Sequence, residues 1–277
     1  TRRAPPRADP GAAASLTRCR PWPGRRSAPP VHAKGGAAPA DAAGIPAMKT
    51  VKADKTDTDL DTHAATPVTA PVTAPRSRRD PGAPRRLARQ LAGAGMNRAL
   101  DALALAETHH TGRRRNGDTE ISHPVAVASM ALRLLAAGRP HDPAFLEDAV
   151  ITALLHDIRE DHGLDDAVLR ASFGTRPADA VALLTKTCPA TAGHPGGAFA
   201  APAACPIAAL VKGCDRADNL ATMDGAFSPG KRHAYAAETR DEILPMLACA
   251  GRSFPDHRRH FAHVTFLIDA ALDAAGV

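Results

Sequence analysis

The chain has 277 residues, 44% hydrophobic but only 3% aromatic, so its core rests on Ala, Leu and Val, which suits packed helices better than a sandwich or barrel. Five cysteines without a C-x-x-C pair argue against a disulfide framework or a zinc ribbon, and no apolar run is long enough for a membrane span. The formal charge of +6 is uneven: residues 1–95 hold 17 Lys/Arg against 7 Asp/Glu, whereas the remainder is net acidic, so specific nucleic-acid binding by the body of the chain is not expected.

The first 95 residues are rich in Ala, Pro, Arg, Thr and Asp, with a short repeat in PVTAPVTAP. Such a composition buries too little apolar area to offset chain entropy, so a disordered tail is expected over 1–95 and a folded domain over 96–277. The opening TRRAPPRADPGAAASL lacks a secretory h-region, so the cytoplasm is the expected setting, and Met48 stands where a shorter product could begin.

From residue 96 the apolar spacing becomes helical. Asn97 is a cap for NRALDALALAETHH, in which Leu100, Leu103 and Ala106 share a face. Pro124 suits the first turn of PVAVASMALRLLAAG, which Gly138 ends. AFLEDAVITALLHDIRED repeats Leu146, Val150, Leu154 and Ile158 at four-residue intervals, and Asp165 starts the next helix, followed by PADAVALLTK. Residues 187–206 read as a Gly/Pro-rich loop; helical spacing then resumes in IAALVKGCDRADNLATM, KRHAYAAETRDEILPMLACA and HRRHFAHVTFLIDAALDAA. No segment alternates like a strand, so an all-α domain of seven to nine helices is predicted.

Within these helices His123, His156, Asp157 and Asp215 are the residues that suit metal chemistry. Two imidazoles and two carboxylates form a mixed N/O set for Mn²⁺, Fe²⁺ or Zn²⁺. Cys214 points about 100° away from Asp215 around its helix and belongs in the core. Glu160 and Asp161 lie four residues after His156 and Asp157, which brings two further acids near the ligands for proton transfer. Arg114, Arg115 and Asn116 form a basic run suited to purine stacking and phosphate binding.

Taken in order, THHTGRRRNGDTEISHPVAVA, ALLHDIRED, Phe173-Gly174 with LLTK, and LVKGCDRADNL resemble the hydrolase domain of the RelA/SpoT family, most of all its stand-alone small alarmone hydrolases and the metazoan SpoT homologue. The likeness covers about residues 97–245. It implies a helical HD-superfamily bundle that removes pyrophosphate from the 3′ position of (p)ppGpp with Mn²⁺. By the same resemblance His123, His156, Asp157 and Asp215 are the metal ligands, and Glu160 and Asp161 are the acidic pair that activates water. Arg114, Arg115, Asn116, Asn219, Thr222, Lys231 and Tyr235 are the substrate contacts that it implies, with a guanine nucleotide as the partner; oligomerisation is left open. Glu120 replaces the family's aromatic before the H-P motif, Asp218 replaces its His in D-R-x-H-N, and no synthetase domain is expected within these 277 residues. Two alternatives stand beside this one: an HD phosphohydrolase acting on NADPH or a nucleoside monophosphate, and a non-catalytic nucleotide-sensing or partner-binding module.

Overall fold

A computed structural model describes residues 79–137, 142–186 and 199–277. The tail up to residue 78, Gly138 and positions 187–198 of the loop lie outside the described residues. Among the described residues the regular elements are all helices, with no strand; Arg113 and Thr119 form one isolated antiparallel bridge. The helices are α1 (Ala83–Gly93), α2 (Asn97–His109), α3 (Ser122–Ala136), α4 (Pro143–Leu155), α5 (Ile158–His162), α6 (Asp166–Phe173), α7 (Thr175–Leu184), α8 (Pro206–Thr222), α9 (Pro229–Glu238), α10 (Leu244–Ser253) and α11 (Arg258–Ala275). From residue 97 onward that makes ten α-helices among the described residues, against the seven to nine expected. Two of the predicted runs are divided, one at His156–Asp157 and one by a π-helical turn at Thr239–Ile243.

Helices α4 and α8 form the centre. Helix α4 is apolar around its whole circumference, and every residue from Asp148 to Leu155 is buried; such a helix is stable only when surrounded. It packs on α2, α3 and α7, while α8 packs on α3, α4, α10 and α11. The contact of α8 with α11 is close because residue 213 is glycine: a Cβ there would run into the side chain of Val264, and it would stand 3.1 Å from Leu247. Cys214 is fully buried, as the helical wheel implies. No helix among the described residues is long and apolar enough to cross a membrane.

Two local features differ from the sequence reading. Asn97 is the first residue of α2 rather than its cap, and its side chain makes no capping bond. Glu147 of α4 caps α2 instead, Oε1 accepting the N–H groups of Arg98 and Ala99 at 2.9 and 3.3 Å, which meets the need of a helix start for acceptors. Secondly, α1 lies ahead of residue 96, inside the stretch read as tail, with Leu87 and Leu91 buried in the common core. Averaging over 95 residues hides an eleven-residue amphipathic segment at their end.

Candidate metal centre and nucleotide pocket

The break between α4 and α5 positions the His-Asp pair. His156 closes α4, its Nδ1 donating to the Ala153 carbonyl at 2.9 Å, and Asp157 begins α5. This bond directs Nε2 toward the start of α3 and the middle of α8. His123, in the first turn of α3, and Asp215, on α8, meet it there.

The four residues expected as ligands converge. Donor atoms of His123, His156 and Asp157 all lie within 4.8 Å of one another. Asp157 Oδ2 is 3.1 Å from His156 Nε2 and 3.7 Å from His123 Nε2; Asp215 Oδ1 is 3.2 Å from His123 Nε2 and 3.7 Å from His156 Nε2. Neighbouring ligands about 2.1 Å from one ion stand roughly 3.0–3.4 Å apart, close to this spacing. His156 Nε2 is buried and lacks hydrogen-bond geometry toward any acceptor.

The electrostatics call for a cation. Burial opposes ionisation of Asp215, but Lys212 Nζ at 3.0 Å and the two imidazoles outweigh it and hold the carboxyl well below its usual range. Asp157 is likewise driven down, burial being overcome by His156. Burial alone would lower His156, yet Asp157 and Asp215 raise it well above an ordinary histidine, so a proton can fill the place that a metal ion would take. An orphaned buried nitrogen facing ionised carboxylates fits a divalent transition ion.

The orientation of His123 comes from a residue that the sequence showed only as a departure. Asp218 Oδ2 lies 2.6 Å from His123 Nδ1, which leaves Nε2 for the site. Asp218 is itself held by Arg79, whose NH2 reaches its two oxygens at 2.6 and 2.7 Å while NH1 donates to the Ser122 carbonyl. This is the carboxylate–imidazole arrangement that fixes the tautomer of metal-binding histidines. Arg79 and Lys212 were not foreseen: the first lies in the basic tail composition, and the second has only its place three residues before Asp215 to mark it.

Beside the ligands lies a pocket of about 270 Å³, at the lower edge of small-molecule sites. Arg114, Arg115, Asn116, Asn219 and Thr222 line it together with Phe227. Arg114 NH2 donates to Asn219 Oδ1 at 2.7 Å, and Asn219 Nδ2 donates to Asp215 Oδ1 at 2.6 Å, so pocket and ligand set share one hydrogen-bonded chain. Asn116 spends its amide on Asp118 at 2.9 Å, and Thr222 donates to the Asp218 carbonyl at 2.8 Å. Phe227 is the residue that motif reading passed over; as one of seven Phe in a loop, it has no helical period to mark it.

Lys231 and Tyr235 are not among the lining residues. Lys231 Nζ sits 4.8 Å above the Phe227 ring, and Tyr235 packs edge-on to the same ring. Tyr235 also lies 3.8 Å from the buried Arg216 guanidinium, which binds Thr239 and Glu238 and so fastens α9 to α8. The acidic pair lies in the first turn of α5. Glu160 accepts the backbone N–H of Lys186, with the Lys186 ammonium 3.8 Å away, and Asp161 is exposed.

No family model matches the chain. It is 34% identical over 149 residues to a probable guanosine-3′,5′-bis(diphosphate) 3′-pyrophosphohydrolase of Synechocystis, covering 50% of this chain and 18% of that protein. It is 32% identical over 145 residues to the Aquifex aeolicus protein named guanosine-3′,5′-bis(diphosphate) 3′-pyrophosphohydrolase, covering 50% and 19%. A GTP pyrophosphokinase of Streptomyces antibioticus is 35% identical over 158 residues, covering 52% and 17%. The chain thus spans about a fifth of the length of these curated relatives. Half of it is similar in sequence to a segment of proteins named guanosine-3′,5′-bis(diphosphate) 3′-pyrophosphohydrolase or GTP pyrophosphokinase, in keeping with the RelA/SpoT resemblance of its motifs.

Proposed function

We propose that the chain hydrolyses (p)ppGpp at the 3′ position, yielding GDP or GTP and pyrophosphate, with Mn²⁺ as its ion. The observation that carries this is the continuous contact from Arg114 through Asn219 to Asp215, which joins the Arg/Asn-lined pocket to the candidate metal centre. When bound, the ion supplies Lewis acidity, polarising phosphoryl oxygens and lowering the pKa of water.

The chain's own residues supply binding, orientation and proton transfer. Phe227 and the guanidinium planes of Arg114 and Arg115 offer stacking surfaces to a purine. Lys231, whose Nζ lies 4.8 Å above the Phe227 ring, is the cation assigned to the phosphate oxygens. Water attacks the 3′-attached phosphorus, the P–O3′ bond breaks, and the proton lost by water returns to the departing 3′-oxygen. Glu160 and Asp161, which follow Asp157 on α5, are the acids assigned to that transfer. The catalytic unit is the helical segment from residue 96 together with Arg79 and α1, and its setting is the cytoplasm.

Incubation with labelled ppGpp, with and without Mn²⁺, tests the assignment by chromatography of the products. Mn²⁺-dependent release of pyrophosphate is expected. Asp157→Ala and Asp215→Ala should abolish it, whereas Arg114→Ala should chiefly raise KM. Release of orthophosphate from NADPH or a nucleoside monophosphate, with ppGpp untouched, would point to the other phosphohydrolase reading. Wild-type turnover in both aspartate variants would reject the site.

A further inference from the structure

A second cluster stands apart from these four ligands. His110 follows the last turn of α2, Glu120 sits in the turn before α3, and His162 ends α5. Donor atoms of the three lie within 4.8 Å of one another. His110 Nδ1 and His162 Nε2 face each other at 3.0 Å, and Glu120 Oε1 is 3.8 and 3.7 Å from those same two nitrogens. A point equidistant from three atoms so spaced lies about 2.0 Å from each, the length of a zinc–imidazole or zinc–carboxylate bond.

Hydrogen bonding alone does not account for the arrangement. One proton at most fits between the two nitrogens, and the carboxylate oxygen is too far from either to accept it. The carboxylate is nevertheless held in place. Its other oxygen accepts the Gly112 N–H at 3.0 Å, and a Cβ on residue 112 would meet that oxygen at 2.9 Å, so glycine there makes the approach possible. Burial, reinforced by His162, pushes the His110 imidazole down to about 4, which leaves it a lone pair at neutral pH. Glu120 and His162 remain 29% and 19% exposed, giving an ion a way in.

We propose that His110, Glu120 and His162 form a second metal site, one that takes a divalent ion of the zinc class. Two imidazoles and a carboxylate supply three ligands and leave a position for water or an anionic oxygen. Glu120, the residue that departs from the family's aromatic, provides the carboxylate. The proposal does not rest on the reaction proposed above.

The test is the Zn²⁺ stoichiometry of the full chain, stripped of metal and titrated in competition with a chromophoric chelator, with Co²⁺ absorption as a second readout. The wild type should bind two equivalents. His162→Gln and Glu120→Gln should each lose one of them and the matching Co²⁺ band, and Asp215→Ala should lose the other. Circular dichroism melts establish that each variant is folded; if His162→Gln is not, Glu120→Gln decides. A wild type with a single equivalent, or folded variants at His162 and Glu120 that keep both, overturns the proposal. Two equivalents retained by Asp215→Ala would count instead against the first site.

Discussion

Asp218 holds His123 Nδ1 at 2.6 Å, and that contact decides which ring nitrogen is left for a metal ion. The aspartate is doubly charged-paired in effect, since Arg79 clamps its two oxygens and Arg114 lies 3.7 Å away. Asp218→Asn retains an acceptor for the imidazole but removes the charge and half of the clamp. Metal affinity should fall roughly 10–100-fold, the usual cost of losing such a partner, read by chelator competition with the fold intact by circular dichroism. Phe227→Ala removes the one aromatic face of the pocket. It should weaken nucleotide binding by about 1–3 kcal/mol, the worth of base–aromatic stacking, with metal affinity unchanged in the same titration. The four residues of the candidate metal centre were legible because H-P, H-D and D-R-x-x-N keep them in fixed local frames. Phe227 and the trio His110, Glu120 and His162 were not: their partners come from separate helix ends, and no spacing along the chain announces them.

Among the elements, α8 carries the greatest share of the chemistry and of the packing. Along one helix it presents Lys212, Asp215, Asp218 and Asn219 to the site and Arg216 to α9, while Gly213 faces α11. Gly213→Ala adds a methyl where Val264 and Leu247 already press. The clash should cost about 1–3 kcal/mol, more than the roughly 1 kcal/mol gained in helix propensity, and a urea titration will show a lowered midpoint. Helical periodicity predicted these elements well wherever an apolar stripe continued unbroken, as in α3, α4 and α11. It did not show the interruption at His156–Asp157, because Ile158 continues the four-residue apolar repeat across the turn. Nor did it reveal that α2 is capped by Glu147, since a cap supplied from another helix leaves no trace beside Asn97.

For the molecule as a whole, the boundary of the packed helical unit lies upstream of the compositional one. Arg79 reaches Asp218 and Ser122, and α1 adds Leu87 and Leu91 to the core. A chain beginning at residue 96 should therefore melt lower and bind metal more weakly than one beginning at residue 79. Thermal melts and chelator competition on the two truncations check this; equal values would remove Arg79 and α1 from the unit. Composition averages made the basic stretch look uniform, whereas its last residues follow the rules of the bundle that they join.

The link from Arg114 through Asn219 to Asp215 has a thermodynamic consequence. A guanidinium drawn toward an incoming phosphate or base must loosen or strengthen its hold on Asn219, and the carbonyl–amide dipole passes that change to the carboxylate. Under the proposed function, ion and nucleotide cannot be independent ligands: whatever factor one applies to the affinity of the other must be returned in full.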